Sequence, residues 1–298
     1  MNRLRELLTG AGVRVKTEYP LSRHSSFRIG GRAALAVFPE TGDAMLTALR
    51  ATLDSGLPFL IVGNASNVVF DDNGFNGVLI VTTAWREMTL TENRMHVSAG
   101  VPLLSVVSAA RDAALTGAEF SYGIPGSLGG AVYMNAGAFG NCMADICRNS
   151  TALDLSSGEL VTFRGVEQLF GYRTSIYEKH PHYAILGAEL VLGMGDRDEI
   201  NARMNDFLSR RRRTQPLEYP SAGSVFKRPE GHFAGKLIED CGLKGVTVGG
   251  AQVSEKHAGF IINRGGATAD DVKRLVELIR DHVLCETGVA LECEIKFL

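Results

Sequence analysis

The chain has 298 residues, enough for about two domains, and its 45% hydrophobic and 21% charged residues are ordinary for a globular protein with a buried core. A formal net charge of −2 gives no overall positive field for nucleic acid or for an anionic membrane surface. No apolar run approaches the roughly 20 residues of a membrane span, and the charged N-terminal stretch lacks the apolar core of a secretory signal. We therefore expect a cytoplasmic protein with no nucleic-acid partner and no membrane insertion.

The cysteines indicate a reducing compartment. Their number is odd and no CxxC pair occurs, so neither a disulfide framework nor a zinc site is expected. We predict no metal site. The five residues are Cys142, Cys147, Cys241, Cys285 and Cys293.

The N-terminal half alternates short apolar runs with glycine-rich turns. Residues 1–55 predict a short helix, a strand formed by the apolar run after Gly30 and Gly31, and an amphipathic helix over 43–56. The stretch PFLIVGNASNVVF, 58–70, predicts a buried strand, a turn of small residues and another strand. Apolar spacing predicts a helix within 100–117, with Pro102 in its first turn, and residues 150–192 predict short strands.

The C-terminal half contains the clearest helix. Residues 197–213 predict a polar helix that could bridge two domains, and we predict a domain boundary near residue 195. The run 210–213 of four arginines is either a solvated helix end or a patch that attracts phosphate. Thr268 and Asp271 form a capping-box pattern before an apolar stripe that Gly288 ends. The terminal VALECEIKFL alternates as a strand does.

Two glycine-rich loops are candidates for binding a dinucleotide. Glycine lets the backbone approach a ligand closely, and consecutive N–H groups in such turns can bind anions. Neither loop has the GxGxxG or GxxxxGK[ST] pattern, which disfavours the common nucleotide folds. Each loop alone could be a tight structural turn, but two in one domain favour a bound cofactor. The candidate residues are Gly63, Asn64, Ala65, Ser66 and Asn67 in the first loop, and Gly123, Ile124, Pro125, Gly126, Ser127, Gly129, Gly130 and Ala131 in the second.

Several motifs in order carry a family resemblance. These are IVGNASNVVF, GIPGSLGGAVYMNAGAFG, GYRTS, QPLEYPSAGSVFKRP, KLIEDCGLKG, GGAQVSEKHAGFIINRG and LECEIKF. Together they resemble the UDP-N-acetylenolpyruvoylglucosamine reductase (MurB) family, flavoenzymes of bacterial cell-wall synthesis. The resemblance implies an α+β fold. It would comprise a two-part FAD-binding domain of the vanillyl-alcohol-oxidase/PCMH type over 1–195, split near 55–70, and a smaller α+β substrate-binding domain over 196–298.

The resemblance also implies the ligands. FAD would bind non-covalently, with both glycine-rich loops around its pyrophosphate and isoalloxazine. No histidine lies in 57–72, which argues against the covalent attachment seen in some relatives of this fold. The family more often has glycine where Ala65 stands, and alanine would be strained there at positive φ. NADPH would reduce the flavin, the enolpyruvyl ether of UDP-N-acetylglucosamine would follow it, and the protein is expected to be a monomer.

The resemblance assigns three catalytic residues. Hydride from flavin N5 would reach C3 of the enolpyruvyl group, Arg173 and Glu294 would stabilise the resulting enolate, and Ser224 would give a proton to C2. A glutamate beside an anion fits only when it is protonated or paired. The alternative that Ser224 is a nucleophile lacks a GxSxG elbow and a neighbouring base.

Four further positions are implied substrate contacts: Tyr172, Lys227, Lys244 and His257. Arg228 stands where one branch of the family has asparagine, so its role stays open. No tyrosine lies between AILGAELVLG and RRRRTQP, so the chain resembles the second type of the family, which lacks a tyrosine-bearing loop.

Two other classes of function remain open from the sequence. The first is another flavoenzyme of the same fold, such as an alcohol or sugar-lactone oxidase, which should lack SAGSVFK, YR and the terminal glutamate. The second is a nucleotide-binding protein without activity, against which Arg173, Ser224 and Glu294 argue.

Overall fold

The computed structural model describes the whole chain, residues 1–298. The α-helices are α1 (Asn2–Gly10), α2 (Gly42–Asp54), α3 (Leu103–Asp112), α4 (Leu128–Tyr133), α5 (Ile176–Lys179), α6 (Arg197–Thr214), α7 (Ala234–Asp240) and α8 (Ala269–Thr287). Short 3₁₀ helices lie at Leu21–Arg23, Thr82–Ala84, Glu119–Ser121, Met143–Asp145 and Gly165–Gln168. None of the helices has the length and apolar content needed to span a bilayer.

The strands are mostly short. They are β1 (Arg14–Pro20), β2 (Arg32–Phe38), β3 (Phe59–Val62), β4 (Val68–Val69), β5 (Phe75–Val81), β6 (Met88–Thr91), β7 (Arg94–Ser98), β8 (Leu115–Thr116), β9 (Gly137–Ala138), β10 (Asn141–Cys142), β11 (Cys147–Asp154), β12 (Leu160–Arg164), β13 (Tyr183–Val191), β14 (Gly193–Met194), β15 (Ser221–Ser224), β16 (Thr247–Val248), β17 (Ala251–Val253), β18 (Phe260–Asn263) and β19 (Lys296–Phe297). This mixture of helices with largely antiparallel sheets is the predicted α+β class.

The chain forms two compact units that are interleaved in sequence. Unit 1 consists of Met1–Glu18, Ala34–Asn64 and Asn76–Arg210. Unit 2 consists of Tyr19–Ala33, Ala65–Phe75 and Arg211–Leu298. Two segments from the N-terminal half therefore belong to the same unit as the C-terminal residues.

Unit 1 has two larger sheets besides the two-stranded pairs β10-β9 and β14-β8. The first sheet has the strand order β1-β2-β5-β3, in which β3 and β5 run parallel, and α1 and α2 bury apolar side chains such as Leu8 and Leu49 in its core. The second sheet is antiparallel with the order β12-β11-β13-β7-β6. Its core includes residues from α3, α4 and α6.

Two local features of unit 1 differ from the sequence-based expectation. The helix predicted within 100–117 begins after Pro102 and ends at Asp112, because Ala114 adopts a φ of +55° and the chain then enters β8. Residues 123–140 have no helical charge pattern, yet they contain the six-residue helix α4, because Leu128 and Val132 are buried in the core of the second sheet.

Unit 2 is built around the antiparallel sheet β15-β18-β17-β16 and the long helix α8. The predicted capping box of Thr268 and Asp271 is confirmed, and the apolar stripe of α8 is buried. Phe27, Ile29 and Val69 from the N-terminal segments share this core. The strand β4 pairs in parallel with β19, so the residues after the first glycine-rich loop are joined to the C-terminus.

The boundary between the units differs from the predicted position near residue 195. It falls after Arg210, because β14 pairs with β8 and α6 buries Ile200 and Met204 in the second core of unit 1. The predicted split near 55–70 also differs. β3 and β5 on either side of it pair in one sheet, and it is the intervening segment Ala65–Phe75 that belongs to unit 2.

Candidate active site

The first glycine-rich loop crosses from unit 1 to unit 2. Gly63 and Asn64 follow β3 in unit 1, and Ala65, Ser66 and Asn67 begin the segment of unit 2 that leads into β4. Ala65 is buried and has a φ of +45°, the left-handed conformation in which alanine is strained. The strain anticipated from the sequence at this position is therefore present.

The second glycine-rich loop lies against Gly63 within unit 1. A Cβ at Gly63 would overlap with Ser127 Oγ and would lie 3.2 Å from Ser127 Cβ. A Cβ at Gly129 would lie 2.9 Å from the Cβ of Ala99. A side chain at Gly63 would separate the two loops, and one at Gly129 would push the second loop away from Ala99.

Ser127 carries the strongest local sign of a ligand. Its side chain is 1% exposed, and its Oγ has no hydrogen-bond partner, although the residue precedes α4 and could cap it. A buried hydroxyl without a partner costs about 1–3 kcal/mol, so it needs a reason. An oxygen of a bound phosphate group would supply the missing partner.

The backbone of this loop offers fewer donors than its composition indicates. The N–H of Leu128 donates to Val101 O at 2.8 Å, and the N–H of Gly129 donates to Ala99 O at 2.9 Å. Both amides therefore hold the loop to unit 1 and do not point at a ligand. The residues present nevertheless fit a dinucleotide, through close backbone approach at Gly63 and the hydroxyl of Ser127.

Arg173 lies at the tip of a tight turn in unit 1. Gly171 and Thr174 exchange backbone hydrogen bonds of 3.1 and 3.4 Å across the turn, and Arg173 has a φ of +56°. Its Nη2 donates to Gly137 O at 3.3 Å, and its guanidinium carbon lies 5.4 Å from the centre of the Tyr172 ring. Tyr172 is 56% exposed.

Ser224 and Glu294 lie on neighbouring backbone segments in unit 2. Ser224 ends β15 opposite Phe260, after an irregularity at which Gly223 has a φ of +77°. The next residue, Val225, accepts a hydrogen bond of 2.8 Å from the N–H of Glu294. The structure thus brings together two of the three predicted catalytic residues within one unit, while Arg173 belongs to the other.

Asn67 of the first loop contacts the segment that carries Glu294. Its Nδ2 donates to Glu294 O at 3.2 Å, and its backbone oxygen accepts from the N–H of Lys296 at 3.0 Å. Residues predicted from separate motifs, one for the cofactor and one for catalysis, are therefore hydrogen-bonded neighbours in unit 2.

Lys227 forms an ion pair that the sequence did not indicate. Its Nζ lies 2.5 Å from Oε1 of Glu292, and the lysine side chain is only 20% exposed. Both residues line a cavity of about 420 Å³, to which Ser224 and Glu294 do not contribute. Arg228 also lines this cavity, and its guanidinium stacks on the ring of Phe233 at 3.9 Å.

His257 and Lys244 lie near each other in unit 2. Burial, and secondarily the positive charge of Lys244, lower the pKa of His257 below its usual 6.5. His257 Nδ1 accepts a hydrogen bond of 3.1 Å from the N–H of Gly259. The neutral ring must then carry its proton on Nε2, which is a donor. Lys244 Nζ lies 2.7 Å from Oε1 of Glu239.

Sequence reasoning missed two residues that support these groups. Ser26 donates its backbone N–H to Ala65 O at 3.3 Å and its Oγ to Ser221 O at 2.7 Å, which links the first loop to β15. Asn135 donates to Gly171 O at 2.9 Å, beside Arg173. The signals were the polar residues within SSFRIGG and MNAGAFG, whose partners are far away in sequence. No group of three or more histidine, cysteine, aspartate or glutamate side chains could hold a metal ion.

Comparison with known proteins identifies the family of the chain. Residues 33–164 match the family model of an FAD binding domain. This match and the reductases to which the chain is similar define an FAD-dependent oxidoreductase. Residues 215–298 match the model of the UDP-N-acetylenolpyruvoylglucosamine reductase C-terminal domain. The chain belongs to the UDP-N-acetylenolpyruvoylglucosamine reductase family.

Similarity to relatives extends over nearly the whole chain. UDP-N-acetylenolpyruvoylglucosamine reductase of Clostridioides difficile is 43% identical over 95% of this chain and 93% of its own. That of Geobacillus kaustophilus is 44% identical over the same shares. The crystal structure of the MurB enzyme of Thermus caldophilus has a TM-score of 0.80 at 33% identity, and the match covers 96% of this chain and 98% of that one.

Proposed function

We propose that the protein reduces the enolpyruvyl ether of UDP-N-acetylglucosamine to UDP-N-acetylmuramate, a step of peptidoglycan precursor synthesis, with NADPH as the reductant. The observation that carries the proposal is the backbone pairing of the Ser224 and Glu294 segments in unit 2. The names of the relatives support the same activity. FAD, held without a covalent link by the two glycine-rich loops, would supply the hydride-transfer chemistry that links NADPH to C3 of the enolpyruvyl group.

Arg173 is the residue proposed to stabilise the negative charge that this chemistry creates. Hydride addition at C3 leaves negative charge on C2 and on the substrate carboxylate, so the protein must supply positive charge and donors. A guanidinium can hold a carboxylate through two parallel N–H bonds, and it stays protonated throughout. Tyr172, exposed beside Arg173, is the aromatic residue proposed to contact the substrate.

Glu294 would assist when it is protonated or paired. An ionised glutamate beside the enolate would repel it, whereas a neutral carboxyl group donates a hydrogen bond to it. The half-buried position of Glu294, and the amide of Asn67 on its backbone oxygen, support this role, because the side chain stands on a fixed segment.

Ser224 is the proposed proton donor to C2. A hydroxyl is a weak acid, but it is competent towards a strongly basic carbon when its position is fixed. The pairing of Ser224 with Phe260 and the N–H of Val225 donating to Gly259 O at 2.9 Å fix its backbone. After the transfer, the alkoxide regains a proton from solvent.

The remaining contacts are proposed for the sugar nucleotide. Lys227, Lys244 and the Nε2–H of His257 supply cations and a donor suited to a diphosphate or uridine. The cavity that contains Lys227 and Arg228 is large enough for part of such a ligand. Arg228, whose role the sequence left open, is held there by Phe233.

The test separates the two half-reactions. NADPH oxidation is measured with and without the enolpyruvyl sugar nucleotide for the wild type, Ser224→Ala and the control Ser221→Ala on the same strand. We expect Ser224→Ala to keep flavin reduction by NADPH and to lose at least ~10²-fold in substrate turnover. Ser221→Ala should retain both. Turnover by Ser224→Ala equal to that of the wild type would rule out Ser224 as the acid.

The same preparation distinguishes the other classes of function. The protein should be yellow, with the absorption of oxidised flavin near ~450 nm. Loss of this absorption on addition of an alcohol or a sugar lactone, without NADPH, would indicate another flavoenzyme of the same fold. The five free thiols support the proposed cytoplasmic location, which fractionation of the source cells would test.

A further inference from the structure

The turn that carries Arg173 is held in an unfavourable conformation. Arg173 has a φ of +56°, which costs roughly 1–2 kcal/mol for a residue other than glycine. Such conformations persist only where the surroundings impose them. The two hydrogen bonds between Gly171 and Thr174 close the turn but do not fix it to the rest of unit 1.

The end of α4 and the residues directly after it fix the turn to the rest of unit 1. Ser175 Oγ, just after the turn, donates to Tyr133 O at 2.7 Å. Asn135 Nδ2 donates to Gly171 O at 2.9 Å, on the other side of the turn. The guanidinium of Arg173 itself donates to Gly137 O. Residues 133–137 therefore form hydrogen bonds with the turn at Gly171, at Arg173 and at Ser175.

Asn135 is itself fixed in a way that only an amide allows. It is 6% exposed and has a φ of +41°, which asparagine tolerates better than most residues. Its Oδ1 accepts from the N–H of Ala144 at 2.9 Å, while its Nδ2 faces the carbonyl of Gly171. One acceptor and one donor are both needed, so an aspartate would set an oxygen against the Gly171 oxygen.

We propose that Asn135 is the positioning residue for Arg173. Its amide fixes the Gly171 carbonyl and thereby the turn, so that the guanidinium is held in place before substrate binds. The segment 133–137 begins at the last residue of α4, and α4 starts directly after Ser127, so one short helix joins the proposed cofactor loop to the segment that holds the Arg173 turn. This inference rests on the proposed role of Arg173.

The test uses the FAD-loaded enzyme with Asn135→Asp and Asn135→Gly. The glycine variant tolerates the positive φ but has no amide. The matched control is Asn93→Asp, because Asn93 Nδ2 also donates to a backbone carbonyl in unit 1, that of Leu192, at 2.8 Å. We expect both Asn135 variants to lower the rate of flavin reoxidation by substrate by ~10–100-fold, with flavin reduction by NADPH within about twofold of the wild type.

Two readouts separate positioning from general loss of structure. Hydrogen exchange at the amides of Gly171 and Thr174 should accelerate at least ~10-fold in both Asn135 variants but not in Asn93→Asp. Activity of Asn135→Asp relative to the wild type should recover as the pH falls, because a protonated carboxyl group can donate to Gly171 O. Asn135→Gly should show no such recovery. Unchanged exchange at the turn, or identical pH profiles, would overturn the proposal.

A double-mutant cycle completes the test. If Asn135 acts through Arg173, Asn135→Asp should cause no further loss of rate in an Arg173→Ala background. An equal loss in both backgrounds would overturn the positioning role. Full activity of Arg173→Ala itself would instead refute the proposed function of Arg173, and with it the reason for positioning that residue. Loss in Arg173→Ala with full activity in Asn135→Asp would refute only the inference about Asn135.

Discussion

The buried hydroxyl of Ser127 leads to a prediction with opposite effects on the apoprotein and on cofactor binding. Ser127→Ala removes one buried oxygen that has no hydrogen-bond partner. Without a partner this oxygen costs the apoprotein up to about 1–3 kcal/mol, so its removal should leave the apoprotein unchanged or stabilise it by about 1 kcal/mol.

Binding of FAD should weaken in the same variant. A hydrogen bond to a charged phosphate oxygen contributes about 1.5–3 kcal/mol, which corresponds to a ~10–150-fold higher dissociation constant. Bound ligand stabilises a protein by RT ln(1 + [L]/Kd), so a tenfold weaker site lowers holoprotein stability by about 1.4 kcal/mol. The gain in the apoprotein would offset only part of this loss, so the thermal midpoint in excess FAD should fall by less than the weaker binding alone implies.

The assay must therefore measure the two quantities separately, by urea unfolding of the apoprotein and by titration of apoprotein with FAD. The matched control is Ser150→Ala, because Ser150 Oγ is also buried but accepts a 2.7 Å hydrogen bond from Tyr177 Oη. That change should destabilise the apoprotein by about 1–3 kcal/mol and leave FAD affinity unchanged. A destabilised Ser127→Ala apoprotein with wild-type FAD affinity would refute the reasoning.

Two further predictions concern the segment of unit 2 that contains the first loop. Asp72→Ala removes the carboxylate that accepts hydrogen bonds from the N–H groups of the first two residues of α8. It should lower the urea midpoint by the equivalent of about 1 kcal/mol. The control Asp281→Ala, on the exposed face of α8, should leave the midpoint unchanged. Ala65→Gly relieves the left-handed strain of about 1–2 kcal/mol but adds roughly 0.4–1 kcal/mol of unfolded-state entropy, so the apoprotein should gain between 0 and about 1.6 kcal/mol. A loss in the urea midpoint would contradict this assignment of strain.

Elements with local signals were predictable from the sequence. For α8, the capping box, the apolar stripe and the terminal Gly288 all lie within one segment, and each is present in the structure. The polar helix predicted over 197–213 is α6, Arg197–Thr214. Capping hydrogen bonds and helical amphipathicity depend on residues a few positions apart, so they can be read without knowing the tertiary fold.

The assignment of the N-terminal segments to unit 2 could not be predicted. Phe27 and Val69 are buried with residues of α8, yet nothing in their neighbours distinguishes them from residues buried in unit 1. The sequence predicts a boundary near residue 195, just before the polar helix. In the structure, unit 1 instead continues through most of α6, because the pairing of β14 with β8 keeps the start of this helix in unit 1. Such pairing depends on residues far apart in the chain.

The candidate site shows the same limit. The motifs pointed to Ser224 and Glu294, but their shared backbone ladder depends on pairing between distant segments. Asn135 was missed because its amide acts on the carbonyl of Gly171, and a backbone carbonyl leaves no trace in the sequence. Likewise, the composition of the second loop indicated free N–H groups, whereas the amide of Gly129 is already bonded to Ala99 O.

Because the two units are interleaved, the segment that matches the FAD-binding family model does not coincide with either unit. The family match covers 33–164, but the first loop within it is completed by residues outside that range. Asn67 bonds to Glu294 and Lys296, and the N–H of Asp71 donates to Leu298 O. Residues 33–164 thus mark a stretch of similar sequence and not a compact unit, since the hydrogen bonds that order the first loop include those from the C-terminal segment 294–298.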